Sequence, residues 1–310
     1  MMIREDKMLE YSKIIGQPLD PRKPHPEIVK VLCNLDTAEP NEYAYYYDAL
    51  LETEVIHTIT SSGEVTQSKV TPDTPVALTF ADFSTPEYYM LLKDLASAKE
   101  KTLMRKKRTI TRALDTVEAQ AIVTLLAAAT TSSGNEHGLT SNQTKFRFEN
   151  LIDMVEDVTD YGGDLYLVAG ATIFKDKSLW NYDINKNQSV LEAYKALNIK
   201  EIRIPSTMTM TLDGASTDVI SSSVGYLVAT DTSMEKPLLF VRKKIGNIEG
   251  LEGIMMDTMD TERQRMVMIS PNPVQLANGT KRYWAIGIGG WEEFVGAVVN
   301  QYAISEFTRA

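Results

Sequence analysis

The chain has 310 residues, 43% of them hydrophobic and 24% charged, a composition that fits a folded globular protein and excludes a disordered one. Its net charge of −10 repels nucleic acid overall, so non-specific binding through a general basic face is not expected. A single cysteine, Cys33, excludes a disulfide within the chain and a cysteine metal cluster, and reads as a small apolar residue. No run approaches the roughly 18 apolar residues of a membrane span, and "MMIREDKMLEYSK" lacks the apolar stretch of a signal peptide. No membrane contact is expected, and the chain should fold in the cytoplasm of the cell that makes it.

The first forty residues read as an arm. Pro18, Pro21, Pro24 and Pro26 fall within nine positions, so "PLDPRKPHPE" can be neither helix nor inner strand. The aromatic-rich "NEYAYYYDALLETE" leads into "ETEVIHTITSSGEVTQSKVT", a β-hairpin with Ser-Ser-Gly at its tip. Val55, Ile59 and Val65 lie on its arms, with Gly63 at the turn, but His57, Gln67, Ser68 and Lys69 leave neither face apolar enough for a core. A lone two-stranded hairpin is marginal in water. This one therefore needs something else to lie on.

A strand follows at Val76–Phe80. Thr85-Pro86-Glu87 then has the form of a helix start, with a capping residue, proline in the first turn and an acid after it. Helical pattern runs from about Pro86 to Thr131, with one break expected near Thr109–Thr111. Leu114, Val117, Ala121, Leu125 and Ala128 make one apolar stripe. The Ser/Thr/Gly/Asn loop "TTSSGNEHGLTSN" ends it. Beyond, Phe148, Leu151, Ile152, Val155 and Val158 mark an amphipathic helix, and "DLYLVAG" a short buried strand. "ATIFKDKSLW" and "VLEAYKAL" read as helices. "KEIRIPS", "TMTMTL", "GYLVATD", "LLFVRKK", "QRMVMIS", "RYWAIGIG" and parts of "FVGAVVNQYAISEF" read as strands. The class is α+β with mixed strand order.

Catalytic signatures are few. There is no phosphate-binding loop of Walker type and no HExxH. His25 lies between prolines, His57 on the hairpin, and His137 in a polar loop where a solvated ring is expected. "GIGGW", Gly287–Trp291, reads as a turn between strands. Glu149, Asp153, Glu156, Asp157 and Asp160 read as a solvated helix face. "MMDTMDTERQRM" reads as adaptable packing. No catalytic residue, metal ligand or cofactor is assigned. Between Lys99 and Arg112 seven basic residues face one acid, and a solvated helix face is the simplest reading.

The order of these features is more specific than any one motif. A proline-bearing arm, a long polar hairpin, a long helix, a Gly/Ser/Asn loop, an amphipathic helix and a buried strand precede a mixed second region. This order resembles the major capsid protein family of tailed phages, the Hong Kong 97 (HK97) fold. "TLLAAATTSSGNEHGL", "FENLIDMVEDV", "DLYLVAGATIF" and "KDKSLW" are similar to consecutive parts of that family, as are "GYLVATDTS" and the closing "EFVGAVVNQYAISEF". "VAG" at Val168–Gly170 departs from the family's frequent Asn-Pro.

The resemblance implies an N-terminal arm (1–48), an extended hairpin loop (49–83), a peripheral domain with the spine helix (84–139 and 279–310) and a compact mixed axial domain (140–278). It implies a non-enzymatic subunit of an icosahedral or prolate phage head. That subunit would form pentamers and hexamers, and its partners would be its own copies, a separate scaffolding protein if any, a portal, and packaged double-stranded DNA touched without sequence preference. It places Val55, His57, Ile59, Gly63, Val65 and Lys69 of the hairpin, and the four arm prolines, on neighbouring subunits. It turns Arg105, Lys106, Lys107 and Arg108 toward packaged DNA, where ion pairs between subunits are the competing use. Some relatives crosslink subunits through Lys and Asn, but no motif ties Lys69 and Asn300 to that role. An encapsulin-like nanocompartment shell is the alternative within the fold. A cytosolic enzyme using the acids of Glu149–Asp160 is the alternative from another class.

Overall fold

The computed structural model describes residues 5–17, 28–47, 76–139, 143–180, 187–212, 215–230, 236–246, 259–260, 262–270, 273–278 and 281–309. The arm prolines and the six hairpin residues named above lie outside these stretches.

The N-terminal part contributes α1 (Glu5–Gly16), α2 (Ile28–Leu32), β1 (Cys33–Ala38), β2 (Ala44–Tyr47), β3 (Val76–Thr79), β4 (Ala81–Ser84) and β5 (Tyr88–Leu91). The spine is α3 (Leu92–Ser133), followed by β6 (Glu136–Gly138), α4 (Phe148–Val158), β7 (Asp164–Ala169), α5 (Ala171–Leu179) and α6 (Asn187–Ala196). Then come β8 (Lys200–Arg203), β9 (Thr209–Leu212), β10 (Ala215–Asp218), β11 (Val224–Thr230) and β12 (Leu238–Lys243). The last are β13 (Met259–Asp260), β14 (Arg265–Ile269), β15 (Val274–Asn278), β16 (Lys281–Val298) and β17 (Ile304–Thr308).

Two long elements organise the molecule. At 42 residues α3 spans on the order of 60 Å, and the 18-residue β16 has about the same length. One sheet runs β1-β12-β16-β14-β13, with β4, β5 and β15 also paired to β16. The helix lies on this sheet. Leu95, Leu103, Ile110 and Leu114 meet Met90, Val267, Ile269, Ile286 and Ile288 in one buried cluster. Farther along, Ile122 and Leu126 join Leu238, Phe240 and Phe294 in another. A second sheet, β6-β17-β11-β7-β8, carries α4 on one face through Leu151, Met154 and Val158. By length and composition alone α3 could cross a membrane. Here its apolar stripe is taken up by the core.

Several sequence expectations change at this point. The helix begins at Leu92, because Tyr88–Leu91 pairs with β16, placing Met90 opposite Ile286 in the core. The expected break at Thr109–Thr111 is absent. The Thr109 hydroxyl donates to the Arg105 carbonyl (3.2 Å) and the helix continues. The non-helical residue is Ala98 (φ −147°, ψ 53°). At the far end Gly134, at φ 79°, closes the helix with its N–H on Thr130 O at 2.8 Å, a left-handed cap that suits glycine. "GIGGW" is no turn but the middle of β16. A Cβ on Gly290 would come within 3.0 Å of Ile110 Cγ2, so the glycine lets the spine helix sit close to the strand.

The described part of the first 48 residues packs on the chain's own body. Ile15 of α1 is buried beside Leu95 and Leu103. Lys107 Nζ donates to the carbonyls of Ile15 and Gln17 at the end of α1. Ile28 and Leu32 of α2 enter the core, and β1 pairs in parallel with β12. Only the proline cluster had stood out in the sequence. The Tyr11, Ile14 and Ile15 contacts of α1 carry too few apolar residues to make a clear stripe.

Candidate functional site

Residues 48–75, which contain the sequence-predicted hairpin, are flanked by β2 and β3. These strands pair antiparallel from Ala44↔Thr79 to Tyr47↔Val76. One side of this stem is apolar and covered: Tyr45, Tyr47, Leu78 and Phe80 pack on Ala38, Leu239, Val241 and Ala297. The other side is open. Tyr46 is 65% exposed, and its ladder partner Ala77 and the neighbouring Thr79 on the same face are exposed as well. Exposed aromatic and β-branched side chains on one face are the kind of surface that a partner covers. The sequence signal was the "YAYYY" run, whose alternation assigns Tyr45 and Tyr47 to one face and Tyr46 to the other.

The basic run of α3 divides by helix face. Lys99 pairs with Glu10 of α1, Lys107 serves the end of α1, and Lys106 lies over the Tyr88 ring, its Nζ 5.6 Å from the centroid. Burial lowers the Lys107 pKa. Arg105 is exposed and Arg108 half-buried. Lys101, Arg105, Arg108 and Arg112 follow the spacing i, i+4, i+7, i+11, which aligns them in one stripe opposite the buried Leu103–Ile110–Leu114 side. The cationic surface is therefore centred on Lys101 and Arg105, and Lys106 and Lys107 are engaged within the chain.

His137 is not simply solvated. Its Nε2 lies 2.6 Å from Asp157 Oδ2, and the Ser305 hydroxyl donates to the same oxygen at 2.6 Å. The arrangement brings Ser, His and Asp together without making a nucleophile. The serine proton is engaged by the carboxylate and not by the imidazole, so no base is set against Ser305 Oγ. Glu149, Asp153 and Glu156 remain exposed along α4 and Asp160 in the turn after it, while Asp157 turns inward to the histidine. Cys33 is buried, and burial pushes its thiol pKa up, away from reactivity. Asn300 caps the short turn Gln301–Ala303, accepting the Tyr302 N–H at 3.0 Å.

The strongest polar constellation was not visible in sequence. Arg265 of β14, 3% exposed, reaches Asp115 and Glu118 on α3 and Glu292 on β16. Arg242 of β12 adds two hydrogen bonds to Glu118, at 3.0 and 2.8 Å, and Arg263 reaches Asp115 at 2.8 Å. The cluster bolts the spine helix to three strands. Asp115 and Glu118 lie three apart on α3, a spacing that carries no signal of its own.

This combination of a long spine helix on a β-sheet, a two-stranded stem packed on that sheet and a separate five-stranded sheet is the Hong Kong 97 capsid fold. In fold it matches a chain of Mycobacterium phage Cain at 12% identity and a TM-score of 0.57, covering 100% of this chain and 99% of that one. A chain of Microbacterium phage Oxtober96 gives 9% identity and 0.57, covering 95% and 94%. A chain from the capsid structure of cyanophage P-SCSP1u gives 12% and 0.50, covering 95% and 91%. No protein-family model and no curated sequence matches the chain.

Proposed function

We propose that this chain is the major capsid protein of a tailed phage, a structural subunit that assembles into the head shell around double-stranded DNA. The observation that carries the reading is the β2–β3 stem, with one face buried on its own body and the other exposing Tyr46 and Thr79. It stands at the root of a segment whose sequence is a hairpin too polar for a core of its own. On a neighbouring copy the hairpin and the proline arm gain partners, so edge pairing serves assembly. The arm, hairpin, peripheral and axial regions keep the boundaries given above, and the axial region forms the pentamers and hexamers. Scaffold and portal contacts belong to the same reading, as does a final location in the virion.

Removing Glu54–Val70 and joining the ends with a tight turn should leave a folded chain that makes no shells. Circular dichroism checks the fold and electron microscopy the shells. Normal shells from this variant contradict the proposal.

The Lys101–Arg105 stripe is proposed to meet DNA phosphates without sequence preference, softening repulsion between an acidic shell and its genome. The double reversal Lys101→Glu with Arg105→Glu should leave shell yield unchanged and lower the fraction of particles that retain DNA. Equal DNA retention in the variant and the wild type removes the stripe from this role.

A further inference from the structure

A pocket of about 580 Å³ opens at one end of the five-stranded sheet, beside α5. Its size falls in the range of small-molecule sites. Thr172, Lys175, Asp176 and Leu179 line it from one face of α5, and Lys145, Ser223 and Arg309 close the other sides. The pocket is a product of the local fold. Gly170 lets the 221–223 turn pack directly on the start of α5, since a Cβ there would come within 3.0 Å of Ser221 O and Ser222 Cα. The Thr172 N–H donates to Ser222 O and the Arg309 N–H to Ser223 O, each at 2.9 Å. These bonds fix both hydroxyl-bearing walls.

The charges are arranged and not merely adjacent. Asp176, 3% exposed, accepts the Phe146 N–H at 3.0 Å and Arg309 Nη1 at 2.9 Å. A guanidinium carries five donors in a fixed fork, so Asp176 orients Arg309 and leaves it further N–H groups to offer. Lys145 and Lys175 have no acidic partner among the described residues lining the pocket. Three cations against one carboxylate leave an excess of two positive charges beside two hydroxyl donors. Leu179 supplies an apolar wall next to them.

We infer that this pocket binds a nucleoside phosphate, with the phosphate on Lys145, Lys175 and Arg309 and the nucleoside against Leu179. Arginine and lysine together are the usual recognition set for phosphate oxygens. A bare inorganic anion would leave most of the volume and the apolar wall unused. The same chemistry is offered by a free nucleotide and by a nucleotide within a strand. The inference does not depend on the capsid reading.

The test is calorimetric titration of the full chain with adenosine diphosphate at low salt, with a single-stranded oligonucleotide as competitor. Wild type should bind the nucleotide saturably, and Lys145→Glu with Lys175→Glu should weaken binding at least tenfold. Both lysines are exposed, so the fold should survive, which thermal melting verifies. The equally charged control Lys13→Glu with Lys195→Glu should bind as the wild type does. Displacement by the oligonucleotide identifies a strand as the source, and its absence identifies the free nucleotide. No saturable binding, or equal weakening in both double variants, overturns the assignment.

Discussion

Replacing Arg265 by Ala is expected to cost roughly 3–5 kcal/mol of folding free energy, the range for breaking a buried ion pair from one side. The guanidinium is nearly inaccessible and stands among Asp115, Glu118 and Glu292. Without it Asp115 keeps Arg263 and Glu118 keeps Arg242, but Glu292 loses its cation. Glu292 is itself buried, and its Oε1 has no hydrogen-bond partner among the described residues. The double variant Arg265→Met with Glu292→Leu should recover most of the loss, since an apolar pair of similar volume has no desolvation penalty. Urea unfolding of the three proteins at a pH above about 8, where the Glu292 carboxyl is ionised and the pair carries both charges, measures this. A loss below 1 kcal/mol for the single variant would mean that the cluster contributes little.

The same cluster sets a pH dependence. Burial pushes the Glu292 carboxyl from 4.5 up to about 8, against the pull of Arg265. The folded chain therefore holds a proton that the unfolded chain releases between these values. This contribution to stability is fully present below pH 4.5 and is lost as pH rises through 8, by at most about 1.4 kcal/mol per pH unit. Glu292→Gln should flatten that slope, and melting temperatures at pH 5 and pH 8 report it. An unchanged slope would place the proton elsewhere.

Gly290→Ala is the second large expected effect. The new methyl meets Ile110 Cγ2 within 3.0 Å and Leu114 Cδ1 at 3.3 Å. Both are buried, and Ile110 is β-branched on a helix, with little freedom to turn away. Overpacking of this kind costs typically about 1–3 kcal/mol. The cost here should lie at the upper end, because relief requires α3 to move off β16. Gly138→Ala is the control, since its Cβ would meet only Thr308 O at 3.9 Å. If both variants melt with the wild type, helix and strand are not in close register. Ile110→Val should partly rescue Gly290→Ala by removing bulk from the side chain the methyl displaces.

Much of the fold was legible because it follows local periodicity. The stripe from Leu114 to Ala128 read as a helix, and Phe148–Val158 and the apolar strands fell close to their observed bounds. What failed was decided by long-range pairing. Tyr88–Leu91 looked like a helix start after Pro86 until β16 was available to pair with it. "GIGGW" looked like a turn because glycine clusters usually are. Here absent side chains serve close packing, which no local pattern announces. The stem was half legible through the alternation of its tyrosines. The basic run was visible as composition, but its division into engaged and exposed faces required α1 and Tyr88 to be in place. The Arg265 cluster and the Arg309 pocket each join residues more than a hundred positions apart, and neither has a sequence signature.

The most direct test of the capsid assignment is electron microscopy of the purified wild-type protein over a range of concentrations, with limited proteolysis of the same samples. A shell subunit gives closed shells or ring-shaped pentamers and hexamers. In these, residues 52–71 are protected, whereas in free chains they are cut. A chain that stays monomeric at every concentration while residues 18–27 and 52–71 resist the protease would contradict the assignment, because both segments would then have their partners within one molecule.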